Sequence, residues 1–331
     1  MRKRQHQDMK HTLSASPLLP SFLLLSVAFI WGGGFIYTNI AVQCGISPAL
    51  LLTLRFFIPA AIMAILFSKE LAVSSFKDLK FGLIAGAILF AAFFCQTYGI
   101  KFTTPANNAF LTATNVIMVP FLSLFLFKQK PGLRSTVCAF ICFVGAAVLS
   151  WSPGVGLTFN IGDWLSLLCA FLFACHYAYL GLSAKHIRSA AVLSFFQLAV
   201  VSALSLITFL AFERPLFSVA ALKVGAGAVL YLALFSTGYC YFVQSWAQRR
   251  FSASGTAIIL STEGLFGSLL SVLWGFDQPT ITLLVGGCII LFSIIMVQLD
   301  FDEIKRLLKK NASSNCTENT GFESIPVKRE I

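Results

Sequence analysis

Two charged side chains lie deep inside long apolar stretches of this sequence, and they are the first candidates for chemistry. Glu263 stands near the middle of the stretch 253–274, and Arg55 stands well inside the stretch 47–68. A charge at the centre of a membrane helix costs about 2.5–3.5 kcal/mol on insertion scales, so it is expected to face a cavity or a partner. We expect Glu263 to bind a cationic substrate or a proton, with a structural ion pair as the alternative. Arg55 could hold a substrate carboxylate, or it could snorkel outward or pair inside the protein.

Polar and aromatic side chains accompany these charges at helical spacing. Asn108 and Asn115 share one face of the stretch 106–127, because seven residues make about two helical turns. Their amides could bond a polar metabolite or a neighbouring helix. His176 could relay protons, since histidine titrates near neutrality, or it could hydrogen-bond between helices. The remaining candidates for a substrate path are Trp31, Gln96, Tyr98, Tyr177, Tyr241, Gln244 and Trp246.

The stretches that carry these residues are those of a membrane protein. Of the 331 residues 57% are hydrophobic and only 11% are charged, which predicts an all-α integral membrane protein. Apolar runs of about 20 residues can cross a bilayer core of about 30 Å. They predict ten transmembrane helices, called spans 1 to 10, over 18–41, 47–68, 79–100, 106–127, 133–151, 162–184, 190–212, 223–246, 253–274 and 280–299.

Lysine and arginine orient these spans, because cytoplasmic loops retain them. With the N-terminus inside, the inner segments hold 20 of the 24 basic residues, and the outer loops hold only Lys101, Arg214 and Lys223. We therefore predict a multi-pass protein of the cytoplasmic (inner) membrane with both termini in the cytoplasm. The net charge of +11 is spread over the inner segments, where it suits anionic lipid head groups rather than nucleic acid.

Residues 96–131 and 244–279 are two weak copies of one segment, displaced by 148 positions. At this offset Gln96 falls on Gln244, and Asn115 falls on Glu263. Five spans separate equivalent positions, so the two halves have opposite orientations in the membrane. Inverted repeats are typical of secondary transporters, whose substrate site lies near the midplane between the halves. The predicted organisation is a cytoplasmic tail 1–17, five-helix repeats 18–151 and 162–299, and an amphipathic and disordered cytoplasmic tail 300–331.

The five-plus-five arrangement, the two repeat segments and the run Trp31-Gly32-Gly33-Gly34-Phe35 in span 1 resemble the drug/metabolite transporter superfamily, EamA type, over roughly residues 18–300. The resemblance implies a central cavity lined by spans 1, 3, 4, 6, 8 and 9. It also implies that spans 5 and 10 pack at the periphery, where they could form the contact of a homodimer. The chain departs from the family where Phe127-Lys128-Gln129 and Gly275-Phe276-Asp277 replace the usual Gly-Glu, and where Gly264 rather than Pro follows Glu263.

These features together predict a secondary transporter of a small polar metabolite that works by alternating access, with no cofactor, metal or enzymatic activity. A midplane carboxylate among aromatic rings suits an organic cation. The resemblance adds amino acids, purines and S-adenosylmethionine as superfamily substrates. S-adenosylmethionine combines a sulfonium, an aromatic base and an amino-acid head, so it is the first specific candidate, and export of amino acids or drugs is the broad alternative.

Other functional classes fit the sequence less well. It contains no GxxxxGK[ST] loop, which argues against an ATP-driven pump, and no HExxH zinc motif. All six Asp residues fall outside the spans or at their ends, which argues against an intramembrane aspartyl dyad. A passive channel stays open as an alternative.

Overall fold

A computed structural model describes residues 18–128, 132–149, 160–183, 186–187, 189–250, 253–276, 278 and 281–298. Every regular element in these ranges is helical, which confirms the all-α class. Eight of the helices are long and apolar enough to cross a membrane, and two shorter apolar helices, Leu133–Gly145 and Leu284–Ser293, fall at spans 5 and 10. The count of ten crossings stays a prediction. Both predicted tails, 1–17 and 300–331, lie outside the described residues.

We number the helices α1 to α10 after the predicted spans, and four of them depart from one continuous α-helix. α7 continues as a π-helical turn, Phe209–Glu213, and a 3₁₀ turn, Arg214–Leu216; α8 contains a π-helical segment, Leu232–Tyr239; α4 and α9 are each broken in two. A short helix, Ser68–Ala72, follows α2. The bounds are α1 Leu18–Gln43, α2 Pro48–Leu66, α3 Phe76–Gly99, α4 Pro105–Ala113 and Asn115–Phe127, α5 Leu133–Leu149, α6 Ile161–Ser183, α7 Ala190–Thr208, α8 Val219–Tyr231 and Cys240–Ala247, α9 Ala253–Leu260 and Glu263–Leu273, and α10 Ile281–Gln298.

Capping residues explain where several helices begin. At the start of α3 the side chains of Ser75 and Asp78 each accept a hydrogen bond from the other residue's backbone amide, which is a capping box. Ser218 caps α8 by accepting from the amide of Ala221. Because this cap starts α8 earlier than predicted, Lys223 lies within the helix and not in an outer loop.

α4 and α9 break at equivalent positions of the repeat, although the sequence predicts two continuous spans. Thr114 and Thr262 have nearly identical backbone angles, φ −62° and ψ −13° against φ −63° and ψ −11°. The Oγ1 of Thr114 donates to the carbonyl of Leu111 over 2.6 Å, and that of Thr262 donates to the carbonyl of Ile259 over 2.7 Å. A hydroxyl that bonds the carbonyl three residues back competes with the helical pattern. A hydropathy pattern shows only length, so it does not reveal these breaks.

Helix packing also relates the two halves, because a helix of one half packs on the other half as its counterpart does in return. α3 packs on α6 as α8 packs on α1, α4 packs on α6 as α9 packs on α1, and the pairs α2–α7 and α5–α10 join the halves. Glycine permits one of these close approaches, because a Cβ added to Gly86 of α3 would lie 2.6 Å from the Cβ of Val200 in α7. The arrangement leaves α1, α2, α3, α6, α8 and α9 around a central space.

Candidate functional site

A narrow cavity of about 20 Å³ lies at the centre of this arrangement. α2 contributes to its wall and α4 does not, which differs from the expectation of spans 1, 3, 4, 6, 8 and 9. The reason is that Arg55 reaches in from α2, whereas the amides of α4 hydrogen-bond within the protein. The lining residues are Trp31, Gly34, Phe35, Thr38, Arg55, Phe93, Gln96, Ile100, Phe173, Tyr177, Ser236, Tyr241 and Glu263.

Glu263 is the acidic residue of this wall. It is the first residue after the break in α9, it lines the cavity and it is 5% exposed. Its carboxylate forms no hydrogen bond or ion pair with any other residue in the described ranges. A buried carboxylate without a partner is costly. The break in α9 therefore presents an unpaired acidic group to the cavity.

The repeat counterpart of Glu263 has a different environment. Asn115 also follows a helix break, but its Nδ2 donates to the carbonyl of Thr112 over 2.8 Å. It is 1% exposed and does not line the cavity. The two halves share their backbone break, and only the break in the second half places a charged group at the cavity.

Arg55 is the basic residue of the same wall. Its Nε donates to Thr237 Oγ1 and its Nη2 donates to Ser236 Oγ, both over 2.9 Å. Its guanidinium carbon lies 4.5 Å from the centroid of the Phe93 ring. Five N–H groups are available in a guanidinium, so two hydrogen bonds orient the group and leave donors for a ligand. No salt bridge joins Arg55 to Glu263.

The π-helical segment of α8 positions the partners of Arg55. π-helical turns are uncommon and occur frequently at functional sites. Ser236 lies within this segment, and its Oγ accepts a hydrogen bond from Arg55. Its carbonyl accepts a second hydrogen bond from the indole Nε1–H of Trp31 over 2.7 Å. One residue of α8 therefore connects α1 and α2 at the cavity wall.

Aromatic rings surround the space between the two charged groups. Trp31 and Tyr241 have centroids 5.4 Å apart, and the Phe93 ring lies 5.3 Å from Phe173 in a T-shaped pair. Tyr177 stacks near Phe173, with centroids 6.2 Å apart. Such faces attract organic cations and also suit planar bases. The wall thus offers a carboxylate, a guanidinium and a set of π faces.

Six of the twelve residues predicted for the substrate path lie in this wall: Trp31, Arg55, Gln96, Tyr177, Tyr241 and Glu263. The structure places them together, and their contact with a substrate stays a prediction. The other six lie outside this wall. The outer group, towards the predicted outer ends of the helices or at the α4 break, is Tyr98, Asn108 and Asn115. The inner group, towards the predicted cytoplasmic ends, is His176, Gln244 and Trp246.

The outer group has protein partners. Tyr98 donates a hydrogen bond to Glu213 Oε1, and the other oxygen of Glu213 accepts from the amide of Ala49 over 2.8 Å. Asn108 donates to Ser166 Oγ over 2.9 Å and is fully buried. These contacts tie helices together, which corresponds to the interhelical alternative for Asn108.

The inner group is less uniformly paired. His176 Nε2 lies 3.0 Å from Gln197 Oε1. Trp246 lies in a separate depression at the end of α8, where the Arg250 guanidinium covers its ring at 3.9 Å. Gln244 is fully buried, and neither atom of its amide has a hydrogen-bond partner in the described structure.

Sequence reasoning missed Ser236 as a cavity residue and Glu213 as a buried carboxylate. A serine in an apolar helix is ordinary, and only the π-helical turn makes Ser236 an acceptor for two helices. Glu213 follows span 7 directly, and a position at the end of an apolar run does not indicate that a carboxylate is buried. Within the described ranges, no group of three His, Cys, Asp or Glu residues is placed to hold a metal ion.

Comparison with known proteins relates this architecture to transporters. Residues 18–151 and 160–299 match the EamA-like transporter family. The chain is 32% identical to an uncharacterised transporter of Archaeoglobus fulgidus over 279 residues, which cover 83% of this chain and 84% of that protein. It is 24% identical to the uncharacterised transporter YoaV of Bacillus subtilis over 295 residues, which cover 85% and 97% of the two chains.

A solved crystal structure of a protein 18% identical in sequence superposes with a TM-score of 0.70, over 86% of this chain and 97% of that one. At this identity the likeness supports the fold alone. Neither relative's name states a substrate. The residues of the cavity therefore have to indicate what passes through it.

Proposed function

The chain belongs to the EamA-like transporter family of the drug/metabolite transporter superfamily, and on that premise we propose that it carries a small zwitterionic aromatic metabolite by alternating access. It is a multi-pass membrane transporter. The proposed location is the cytoplasmic membrane, with both termini in the cytoplasm and the halves 18–151 and 162–299 acting as inverted repeats. A homodimer through α5 and α10 stays a prediction.

One observation carries the proposal for the substrate: Glu263 and Arg55 line one aromatic cavity and do not pair with each other. A ligand with a cationic and an anionic group can satisfy both, and each contact is charge-assisted and therefore stronger than a neutral hydrogen bond. The rings of Trp31, Tyr177 and Tyr241 suit a cation or a planar base between the two charges.

The matched breaks in α4 and α9 support the alternating-access mechanism. Discontinuous helices at equivalent positions of two halves are typical of transporters whose site lies at the repeat interface. The cavity reaches Thr38 and Ile100, near the predicted outer ends of α1 and α3. An exchange of conformation between the halves would open the same space to the cytoplasm.

S-adenosylmethionine is the specific substrate that we propose to test first. Its ammonium and sulfonium suit Glu263 and the aromatic faces, its carboxylate suits Arg55, and its adenine suits a ring stack. An amino acid would satisfy both charges without a base, and an organic cation would need only Glu263. These differences make the substrate class measurable.

Counterflow in liposomes tests the function. Purified protein is reconstituted, the vesicles are loaded with unlabelled S-adenosylmethionine, and entry of the labelled compound is compared with that into empty vesicles. We expect trans-acceleration, and we expect S-adenosylhomocysteine, which keeps the amino-acid head and the base but has a neutral thioether in place of the sulfonium, to compete at least ten-fold more weakly. Equal rates into loaded and empty vesicles would indicate a channel. Trans-acceleration by methionine or arginine without any by S-adenosylmethionine would indicate an amino-acid carrier.

A further inference from the structure

Gln244 is buried in a way that its present surroundings do not explain. It lies in α8, three residues after Tyr241 of the cavity wall, and it is fully inaccessible to solvent. Neither Nε2 nor Oε1 has a hydrogen-bond partner among the described residues. A side-chain amide offers two donors and one acceptor oxygen, and leaving such groups unpaired inside a protein is destabilising. Groups of this kind call for an explanation beyond packing.

Single buried polar atoms without a hydrogen-bond partner occur in both halves of the described structure, among them Oδ1 of Asn108 and of Asn115, whereas both amide atoms of Gln244 lack one. Within the described ranges, Nδ1 of His176, Oε1 of Gln248 and Oγ1 of Thr256 are buried without a hydrogen-bond partner. Gln248 Nε2 donates to the carbonyl of Tyr177, so α8 and α6 are in contact here. We call His176, Gln244, Gln248 and Thr256 the inner polar layer. These residues lie on the predicted cytoplasmic side of the cavity, and Gln248 is the C-cap residue of α8.

Gln244 corresponds in the sequence repeat to a residue that lines the cavity. Gln96 is its counterpart at the offset of 148 positions, and Gln96 lines the cavity while its Nε2 only reaches Thr112 Oγ1 at 3.5 Å. When two inverted halves exchange conformations, equivalent residues exchange environments. The amide that is now buried then becomes the one that lines an open cavity.

We infer that Gln244 and Gln96 form alternating subsites for a planar donor–acceptor edge of the substrate, with Gln244 used in the cytoplasm-facing state. A glutamine amide pairs with such an edge through two parallel hydrogen bonds, as it does with the N6 and N7 atoms of adenine. Opening of the inner polar layer also supplies water to its unpartnered atoms. This inference rests on the proposed transport function and assigns the polar contact on each side of the membrane.

Sided cysteine labelling tests the exchange without a substrate. Gln244→Cys and Gln96→Cys are each treated with a membrane-impermeant maleimide in right-side-out and inside-out vesicles. The parent chain, labelled in parallel, gives the background from its native cysteines. We expect Gln244→Cys to react only from the cytoplasmic side and Gln96→Cys only from the outer side. A Gln244→Cys variant that reacts no faster than the parent from the cytoplasmic side overturns the inference.

Stability provides a second readout. Gln244→Leu removes both unpaired polar atoms and should raise the melting temperature of the purified protein while slowing net transport at least ten-fold. Gln197→Leu is the matched control, because both ends of that buried amide have partners in His176 and Ser245, and its melting temperature should fall. A fall in melting temperature for Gln244→Leu, or unchanged transport, overturns the inference.

These results are separable from those for the proposed function. If S-adenosylmethionine shows no counterflow but the two cysteines label from opposite sides, the substrate assignment fails and the exchange of subsites stands. If counterflow is strong and Gln244→Cys is unreactive from the cytoplasm, transport stands and the assignment of Gln244 is wrong.

Discussion

Arg55 and Glu263 carry opposite charges in the wall of one cavity and do not form a salt bridge. Arg55 is held by two hydroxyls of α8, and Glu263 is the first residue after the break in α9. Opposite charges in a medium of low polarity attract strongly, so their separation is a property that the fold maintains. A ligand that spans the two groups would connect α2 and α8 with α9, and binding would then bear directly on the elements that must move.

Substitution of Glu263 by Gln should remove substrate binding and leave the fold intact. The change keeps the side-chain size and eliminates the charge, and a hydrogen bond to a charged group contributes about 1.5–3 kcal/mol. We expect counterflow to fall at least about ten-fold, measured in liposomes at equal protein content. Glu213→Gln is the matched carboxylate control: it should lower the melting temperature, because Tyr98 and Ala49 bond Glu213. Full transport by Glu263→Gln would show that the carboxylate is structural.

Substitution of Arg55 by Lys should discriminate between substrates with and without a carboxylate. Lysine keeps the charge but cannot donate in the fork geometry of a guanidinium. The KM for S-adenosylmethionine should rise about ten-fold, whereas inhibition by its decarboxylated analogue should change less than about two-fold. Competition assays in liposomes measure both quantities. An equal loss for both compounds would mean that Arg55 acts only through Ser236 and Thr237.

Trp31 should contribute its ring face to cation binding and its indole N–H to structure. Trp31→Leu removes both, whereas Trp31→Phe removes the hydrogen bond to the Ser236 carbonyl and keeps a smaller aromatic face. A cation–π contact is worth about 0.5–2 kcal/mol. Affinity for the cationic substrate should therefore fall more in the Leu variant than in the Phe variant, as measured by scintillation proximity binding. A neutral adenosine competitor serves as the control, and equal effects on both ligands would contradict a cation–π role.

Tyr98 should be a structural residue, despite its initial assignment to the substrate path. Tyr98→Phe removes the donor to Glu213 and leaves one oxygen of a buried carboxylate unpaired, which costs about 1–3 kcal/mol. The melting temperature in detergent should fall while the KM stays within about two-fold of the parent value. A raised KM with an unchanged melting temperature would show that Tyr98 contributes to substrate binding.

Several features were predictable from the sequence because they depend on local composition. Apolar length and the low content of charged residues indicated membrane helices, since the bilayer core excludes unpaired polar groups. The distribution of basic residues predicted an orientation, and the weak repeat related α4 to α9. The insertion cost of a buried charge directed attention to Glu263 and Arg55, and the structure places both in one cavity wall.

Other features were decided by tertiary structure, because they depend on which partner each polar group finds. Asn108, Asn115 and Glu263 were comparable candidates in sequence, yet the Nδ2 groups of the two amides donate to partners within the protein and only the carboxylate lines the cavity. The role of Ser236 depends on a π-helical turn that no hydropathy pattern shows. The sequence by itself determined that Arg55 and Glu263 lie within apolar stretches and how far each lies from the ends of its stretch. Only the packing of the helices decided which polar groups pair with one another, since hydrogen bonding depends on contacts between residues far apart in the chain.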